Sequence, residues 1–216
     1  MQDFIVVTGM VLNQTPVGEY DRRVCILTKE RGKISAFAKG ARRPGNRFMA
    51  ATNPFSFGQF KLYEGRYSYN IMEANISQYF EELRVDYIGA YYGMYFLEIA
   101  DYYTRENNDD TKMLKLLFQT MRALLHPTLP KALIKCIFEL KSLVVNGEYP
   151  GAPQDKKLSE STIYAMQFIA DAQIEKLYTF MVTEEVLKEL QTVADRYRRR
   201  FMDKTFKSLE ILESLC

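Results

Sequence analysis

The chain has 216 residues, of which 47% are apolar and 26% charged, a composition typical of folded globular proteins and unlike that of disordered ones. Its longest uncharged apolar stretch, Tyr87–Leu97, is eleven residues long, whereas a membrane-spanning helix needs roughly 20. The start, MQDFIVVTGM, does not have the pattern of a signal peptide, and the three cysteines are scattered singly. These features predict a soluble cytoplasmic protein without a disulfide framework or a C-x-x-C metal site.

The net charge of +2 conceals an asymmetry along the chain. Residues 1–80 hold 11 Lys and Arg against 6 Asp and Glu, whereas residues 81–216 hold 18 against 21. Between residues 22 and 47 there are nine basic side chains and a single acidic one, Glu30. This distribution predicts an N-terminal region that contacts polyanions and a C-terminal region that does not.

The first eighty residues predict an all-β unit. Short runs rich in Val, Ile, Leu, Thr and Tyr, separated by turn residues, predict strands at Phe4–Gln14, Arg22–Thr28, Lys33–Lys39, Ser56–Tyr63 and Tyr67–Asn75. In the third strand Ile34, Ala36 and Ala38 alternate with other residues at the period of a half-buried strand. Five strands with hairpin spacing favour a small closed barrel of the OB-fold type, which we assign to residues 1–79.

A basic segment, AFAKGARRPGNRF, lies between the third and fourth predicted strands. It carries Lys39, Arg42, Arg43 and Arg47 without one carboxylate, and its two glycines and proline predict a loop. The loop could simply be a solvated, solubilising surface. Cations beside aromatic rings are, however, what single-stranded nucleic acid requires, because cations neutralise phosphates and rings stack on unpaired bases.

The neighbouring predicted hairpin supplies further cations and aromatic rings. Tyr63, Tyr67 and Tyr69 could stack on bases, or could belong equally well to the barrel core or to a domain interface. We predict contact between the basic loop and a nucleic-acid backbone. The predicted binding set is Arg22, Arg23, Lys33, Lys39, Arg42, Arg43, Arg47, Lys61 and Arg66.

From about Gln78 the apolar residues recur at helical spacing. The predicted helices are Val85–Tyr103, Thr111–His126, Leu129–Val145, Ser159–Ala170 and Thr183–Arg200. Asp110 and Thr183 suit helix N-caps, and Gly147 follows a predicted helix end. The predicted fold is therefore α+β, with the barrel followed by a helical domain over residues 80–216.

The sequence contains no pattern typical of a catalytic site. The single histidine, His126, has no serine or cysteine partner that the sequence identifies, and a loop or helix-end role is favoured. Asp109 and Asp110 could hold metal ions in a nuclease, but their position before a predicted helix favours N-capping. We therefore predict that the chain is not an enzyme.

A second cationic run closes the helix that begins at Thr183. It consists of Arg196, the arginines at 198–200 and Lys204. The helix dipole stabilises cations at a C-terminus, and this accounts for the run without a ligand. A secondary site for an anion or a protein partner is the alternative.

The stretch VTGMVLNQTPVGEYDRRVCILTKERGKISAFAKGARRPGNRF resembles the N-terminal signature of the bacterial recombination-mediator family RecO. The matching order is Thr-Gly, then G-E-Y-D-R, L-T-x-E-x-G and A-x-G-A-R-R. The resemblance continues through FSFGQFKLYEGR, YYGMYFLEIADYYT, FELKSLVVNGEYP and KSLEIL, so that it covers nearly the whole chain.

This resemblance implies an N-terminal OB-fold, a helical C-terminal domain and no enzymatic activity of the usual sort. It implies binding to single- and double-stranded DNA and annealing of complementary strands. It also implies cooperation with RecR, and in one pathway RecF, to load the recombinase RecA onto DNA coated by single-strand binding protein, whose C-terminal tail the helical domain would recognise. The expected location is the bacterial cytoplasm, in association with the nucleoid.

Within the resemblance, Lys39, Arg42 and Arg43 fall on the basic K-G-x-R-R segment of the family. The basic loop is therefore expected to contact the DNA backbone. Two alternatives of other kinds remain open at the level of sequence. One is a protein-interaction scaffold that contacts nucleic acid only incidentally, and the other is an RNA-binding OB-fold module.

The chain departs from the family in its metal site, and this departure gives a testable prediction. Many members carry four zinc-binding cysteines after the motif that here reads NGEYP, whereas GAPQDKKLSES follows it in this chain without a cysteine. We expect the protein to fold without zinc or any other cofactor, because the thiolate ligands are missing. Elemental analysis of the purified protein should find no bound zinc, and one zinc per chain would contradict the prediction.

Overall fold

A computed structural model describes residues 4–65, 68–153 and 158–215. The chain divides into two compact units, Met1–Leu114 and Lys115–Cys216. Among the described residues, no helix has both the length and the apolar character needed to cross a membrane.

The first unit contains a closed five-stranded barrel. Its strands are β1 (Phe4–Val17), β2 (Asp21–Thr28), β3 (Gly32–Ala38), β4 (Phe57–Glu64) and β5 (Tyr69–Gln78). They close in the order β1-β2-β3-β5-β4, and every neighbouring pair is antiparallel except β3 and β5. The prediction of an OB-fold barrel is confirmed.

The strand boundaries of β2, β3 and β4 lie within one residue of the prediction, whereas the ends of β1 and β5 lie three residues further on. β1 continues past Gln14 to Val17, because its second half pairs with β2 up to the register Val17↔Asp21. Pro16 is tolerated in this extension, which pairs with β2 alone. β5 extends to Gln78 through its pairing with β4, and its predicted start at Tyr67 lies outside the described residues.

The barrel interior is filled by inward-facing side chains from all five strands. They are Val7, Val11, Val24, Ile26, Ile34, Ala36, Ala38, Phe60, Leu62, Tyr69 and Ile71. Phe48 joins this core from α1 (Phe48–Ala51), a one-turn helix that the sequence did not predict. Burying a phenylalanine side chain stabilises a fold by about 1.5–3 kcal/mol. The contact therefore holds α1, and the chain that leads into it, against the barrel.

The first unit also includes α2 (Tyr87–Tyr103), which follows a 3-10 turn at Glu81–Arg84. Asp86 caps this helix by accepting a hydrogen bond of 2.9 Å from the Gly89 amide. A side chain at Gly93 would collide with the ring of Phe55, so that this glycine permits their close approach. The predicted boundary between residues 79 and 80 marks the end of the barrel strands, whereas the compact unit continues to Leu114.

The second unit is helical. The helices are α3 (Thr111–Leu124), which contains the unit boundary, α4 (Lys131–Val145), α5 (Glu160–Asp171), α6 (Glu184–Phe201) and α7 (Lys207–Leu215). The predicted cap at Thr183 is confirmed, since its side chain accepts from the Val186 amide. Gly147 adopts a left-handed φ of 74° where α4 ends, as the sequence indicates.

Buried charges in the second unit are paired with neighbouring groups. Glu139 on α4 is 1% exposed and lies 3.0 Å from the ammonium group of Lys135. Lys141 donates two hydrogen bonds of 2.8 Å to the carbonyl groups of Ala170 and Ala172, where α5 ends. These contacts supply the partners that buried charged groups require.

Two glycines with the same backbone conformation differ in their surroundings and give a matched test. Gly32 has a φ of +63°, and a Cβ there would lie 2.3 Å from the Arg105 carbonyl oxygen; Gly18 has a φ of +56° and no atom within 4 Å of such a Cβ. We expect Gly18→Ala to lower the free energy of unfolding by about 1 kcal/mol, the left-handed penalty alone. Gly32→Ala should cost roughly 3 kcal/mol, because the backbone must also move. If urea unfolding showed that the two variants lose the same free energy of unfolding, the result would contradict this account.

Candidate nucleic-acid interface

The basic segment forms an exposed loop between β3 and α1. We call residues 39–47 the basic loop. Gly40 and Gly45 turn its backbone through left-handed φ values of 68° and 74°, which glycine adopts without steric cost. Ala41 points inwards and is fully buried. The loop therefore has a fixed course over the end of the barrel, with its polar side chains outside.

Hydrogen bonds tie the basic loop to the β1–β2 turn. The Gly40 amide donates to the Asp21 carboxylate at 2.7 Å, and the Arg42 amide donates to the Tyr20 carbonyl at 2.8 Å. At its other end, the Asn46 side chain accepts from the Phe48 amide at 2.8 Å, where α1 begins. Because these contacts are in place before any ligand arrives, binding should require little ordering of the loop.

The four cations of the basic loop are exposed, and the three arginines among them have neutral partners. The Arg43 guanidinium lies 4.6 Å from the centre of the Tyr20 ring, and Arg42 donates to the Gly18 carbonyl at 3.1 Å. Arg47 donates to a carbonyl on β5 at 2.6 Å. Among the described residues, no carboxylate forms an ion pair with these three or with Lys39. The described carboxylates therefore do not pair with these four side chains, although the Asp21 carboxylate lies against the loop backbone.

Arg22, also predicted to bind, holds the fold together instead. Its guanidinium donates to the Met49 carbonyl at 2.9 Å, the Thr52 hydroxyl at 2.8 Å and the Asn53 side chain at 3.1 Å. Burial, followed by the charge of Arg42, lowers the pKa of Arg22. This arginine fixes α1 and the turn after it. Because the basic loop ends where α1 begins, the same hydrogen bonds also fix the end of the loop.

Lys33 is likewise engaged within the first unit. Its ammonium group lies 3.0 Å from the Asp101 carboxylate and donates to the Asp101 carbonyl at 2.6 Å. Cys25 lies near the same carboxylate, and burial raises the pKa of its thiol to about 12. The three side chains join the barrel to α2 rather than facing a ligand.

The other predicted cations lie on different strands or outside the described residues, and the Lys61 ammonium group lies 5.3 Å from the centre of the Phe4 ring. Arg23 is exposed on β2, and Lys61 on β4 forms an ion pair of 3.1 Å with Glu73. Arg66 lies outside the described residues, as does Tyr67. Of the remaining tyrosines, Tyr69 is buried in the barrel core and Tyr63 lies at the surface of a groove.

That groove adjoins the basic loop and has a volume of about 390 Å³. We call it the side groove; it is lined by Phe4, Lys39, Arg47, Phe48, Tyr63, Asn70, Ile71 and Met72. Phe4 is absent from the predicted binding set. Its position opposite Tyr63 in the β1–β4 register could have identified it, but only once the strand pairing was known.

The acidic pair before α3 caps backbone groups. Asp109 accepts from the Thr111 amide at 3.2 Å, and hydrogen bonds from Thr111 lower the pKa of Asp109. Asp110 accepts from the Arg105 amide at 3.1 Å, while burial raises its pKa. Asp109 therefore binds the first amide group of α3, whereas the Asp110 side chain binds an amide of the loop before the helix, so that the side-chain cap predicted for Asp110 is not the contact it makes. Throughout the described ranges, no cluster of three or more His, Cys, Asp or Glu side chains could hold a metal ion.

The second cationic run is only partly available at the surface. The Arg198 side chain is 13% exposed and pairs with Asp195, and its Nε lies 3.9 Å from buried Glu139. Arg199 also pairs with Asp195, at 3.0 Å, whereas Arg196 and Arg200 are exposed. The run therefore combines a buried structural arginine with exposed cations.

The first unit contains a barrel of the OB-fold class, an architecture that other proteins use to bind oligonucleotides and oligosaccharides, and a helical unit follows it in the chain. Family models for the N-terminal and C-terminal parts of recombination protein O match residues 1–80 and 84–155. The chain belongs to this family, whose role lies in DNA repair and recombination.

Several curated relatives are similar over most of the chain. "DNA repair protein RecO" of Acetivibrio thermocellus is 26% identical over an alignment of 245 positions, which covers 99% of this chain and 98% of the relative. The protein of the same name from Clostridium novyi is 26% identical over 96% of this chain and 93% of its own length. That of Alkaliphilus metalliredigens is 34% identical over 66% of this chain and 58% of its own length.

Two adjacent arginines on β2 differ in their roles: Arg22 is hydrogen-bonded within the fold, whereas Arg23 is exposed. We expect Arg22→Ala to lower the free energy of unfolding by about 2 kcal/mol, because three charge-assisted hydrogen bonds are lost. Arg23→Ala should change it by less than about 0.5 kcal/mol, since that side chain is exposed. Urea unfolding of the two variants checks this, and equal stabilities would contradict the structural role of Arg22.

Proposed function

We propose that this chain is a non-catalytic, DNA-binding mediator of recombinational repair. It binds single- and double-stranded DNA through the basic loop and anneals complementary strands. It also helps to load a recombinase onto DNA coated by single-strand binding protein. The observation that carries the proposal is the group of four exposed cations, three of them arginines with neutral partners, on a loop whose backbone is fixed to the barrel.

The proposed annealing activity follows from electrostatics. Two complementary strands repel each other, so a mediator must neutralise phosphates while leaving the bases free to pair. Lysine and arginine contacts to phosphates release counterions and carry no sequence information. A loop that presents Lys39, Arg42 and Arg43 to the backbone meets both requirements. The expected binding is therefore salt-dependent and weakly selective for sequence.

The proposed protein partners are RecR, RecF and the C-terminal tail of single-strand binding protein, and they rest on the family resemblance. An acidic tail with apolar residues requires an apolar pocket rimmed by cations. The second unit has an apolar groove of about 630 Å³ between α5 and the start of α6. Its described lining contains Glu160 and no lysine or arginine. Exposed cations such as Arg196 and Arg200, at the end of α6, complement the acidic tail better than this groove does.

Strand annealing tests this proposal. We expect Arg42→Ala with Arg43→Ala to slow annealing of complementary oligonucleotides about tenfold at low salt, because two phosphate contacts are lost. Fluorescence-monitored annealing of the wild type and the double variant, at low and physiological salt, provides the measurement.

The matched control removes two exposed lysines from the second unit. Lys176→Ala with Lys188→Ala changes the net charge by the same amount and should leave the annealing rate unchanged. Annealing that survives loss of the loop arginines, or that falls equally in the control, would contradict the role of the basic loop. Absence of annealing by the wild-type protein would contradict the proposed activity itself.

A further inference from the structure

We infer that the side groove is a subsite for an unpaired nucleobase, so that the barrel distinguishes single-stranded from double-stranded DNA. This inference rests on the proposed DNA-binding function and extends it. The basic loop supplies phosphate contacts that either form of DNA can make. The side groove adds a contact that only a base outside a duplex can make.

The wall of the side groove presents two aromatic rings. Phe4, at the start of β1, lies directly opposite Tyr63, at the end of β4, in the strand register. Their ring centres are 6.0 Å apart and the planes are inclined by 59°, so the two rings do not stack face to face. Phe4 is 43% exposed, although a buried position would be usual for a phenylalanine in a strand. The Lys61 ammonium group lies 5.3 Å from the centre of this ring, which nevertheless keeps its exposed area. An exposed ring beside cations is the kind of platform on which bases stack.

The floor of the side groove is continuous with the barrel core. Phe48 and Ile71 are buried core residues that also line the groove, and Met72 beside them is 41% exposed. This floor is therefore apolar and is fixed by the packing beneath it. Asn70 adds an amide group that can both donate and accept hydrogen bonds at a base edge.

The rim of the side groove belongs to the basic loop. Lys39 and Arg47 line it, and no acidic side chain occurs among the described lining residues. Arg47 is fixed in place because it donates to the Met72 carbonyl at 2.6 Å and lies 4.8 Å from the centre of the Phe48 ring. The apolar interior with a cationic rim complements a nucleotide, which has an apolar base face and an anionic phosphate.

The selectivity follows from the structure of the ligand. In a duplex each base is stacked and paired, so entry into the groove requires extrusion of that base, which is unfavourable. In a single strand the bases are unpaired, so that one of them can enter the groove without breaking a base pair. The side groove therefore favours single strands, whereas the basic loop does not discriminate.

Paired affinity measurements test the inference. Phe4→Leu keeps an apolar side chain for packing but removes the ring, and it should weaken binding to a thymidine oligonucleotide about tenfold. Binding to a blunt duplex should stay within about twofold. Tyr164→Leu, which removes an exposed ring from the second unit, should change neither affinity. An unchanged ratio of single-strand to duplex affinity in Phe4→Leu would overturn the inference.

The Arg42→Ala, Arg43→Ala double variant separates this inference from the proposed function. If the proposed function holds, the double variant loses affinity for both forms of DNA. If the double variant loses both affinities while Phe4→Leu binds both forms of DNA as tightly as the wild type, the proposed function stands and only the side-groove subsite is wrong. If the double variant keeps both affinities, the proposed function itself is wrong.

A spectroscopic readout addresses stacking directly. The chain contains no tryptophan, so Phe4→Trp introduces a single fluorescent reporter into the side groove. Saturating thymidine oligonucleotide should quench its emission, whereas saturating duplex should leave it unchanged. Tyr164→Trp provides the control, with no quenching by either ligand. Equal quenching of the Phe4→Trp emission by oligonucleotide and duplex, or none by the oligonucleotide, would overturn the inference.

Discussion

The position of the basic loop depends on the burial of Phe48 in the barrel. This side chain enters the core from α1, a helix of only four residues that has no stability of its own. Arg22 holds the same helix from β2 through hydrogen bonds to Met49 and Thr52. Core packing and these hydrogen bonds together fix the end of the basic loop, while Asp21 fixes its start. The loop thus has two fixed ends on one rigid barrel.

This fixation explains how a short loop can carry four like charges. Cations placed so closely repel each other, and the barrel contacts must offset that repulsion. Compensation by carboxylates would lower the repulsion but would also remove the attraction for phosphates. Neutral partners such as the Tyr20 ring and the Gly18 carbonyl position the arginines without cancelling their charge. The arrangement is compatible both with a stable fold and with the binding of a polyanion that we propose.

Much of this fold could be predicted from the sequence, because strand and helix periods are local signals. The five strands and the helix capped by Thr183 are examples. By contrast α1 was missed, because its four residues are too few to show a period. The roles of Arg22 and Lys33 could not be predicted either. Their partners, Thr52 and Asp101, lie far away in sequence and become neighbours only in the folded unit. The sequence therefore identified the cationic region, but not which cations the fold itself uses.

The salt dependence of single-strand binding tests the central claim most directly, namely that the fixed cations of the basic loop bind phosphates. For the wild type, the logarithm of the association constant should fall linearly with the logarithm of salt concentration, with about the same slope for two unrelated oligonucleotide sequences. Removing the two loop arginines should make that slope shallower by about 1.4, since each phosphate contact on a single strand contributes about 0.7. An unchanged slope, or an affinity set by sequence rather than by salt, would contradict the account.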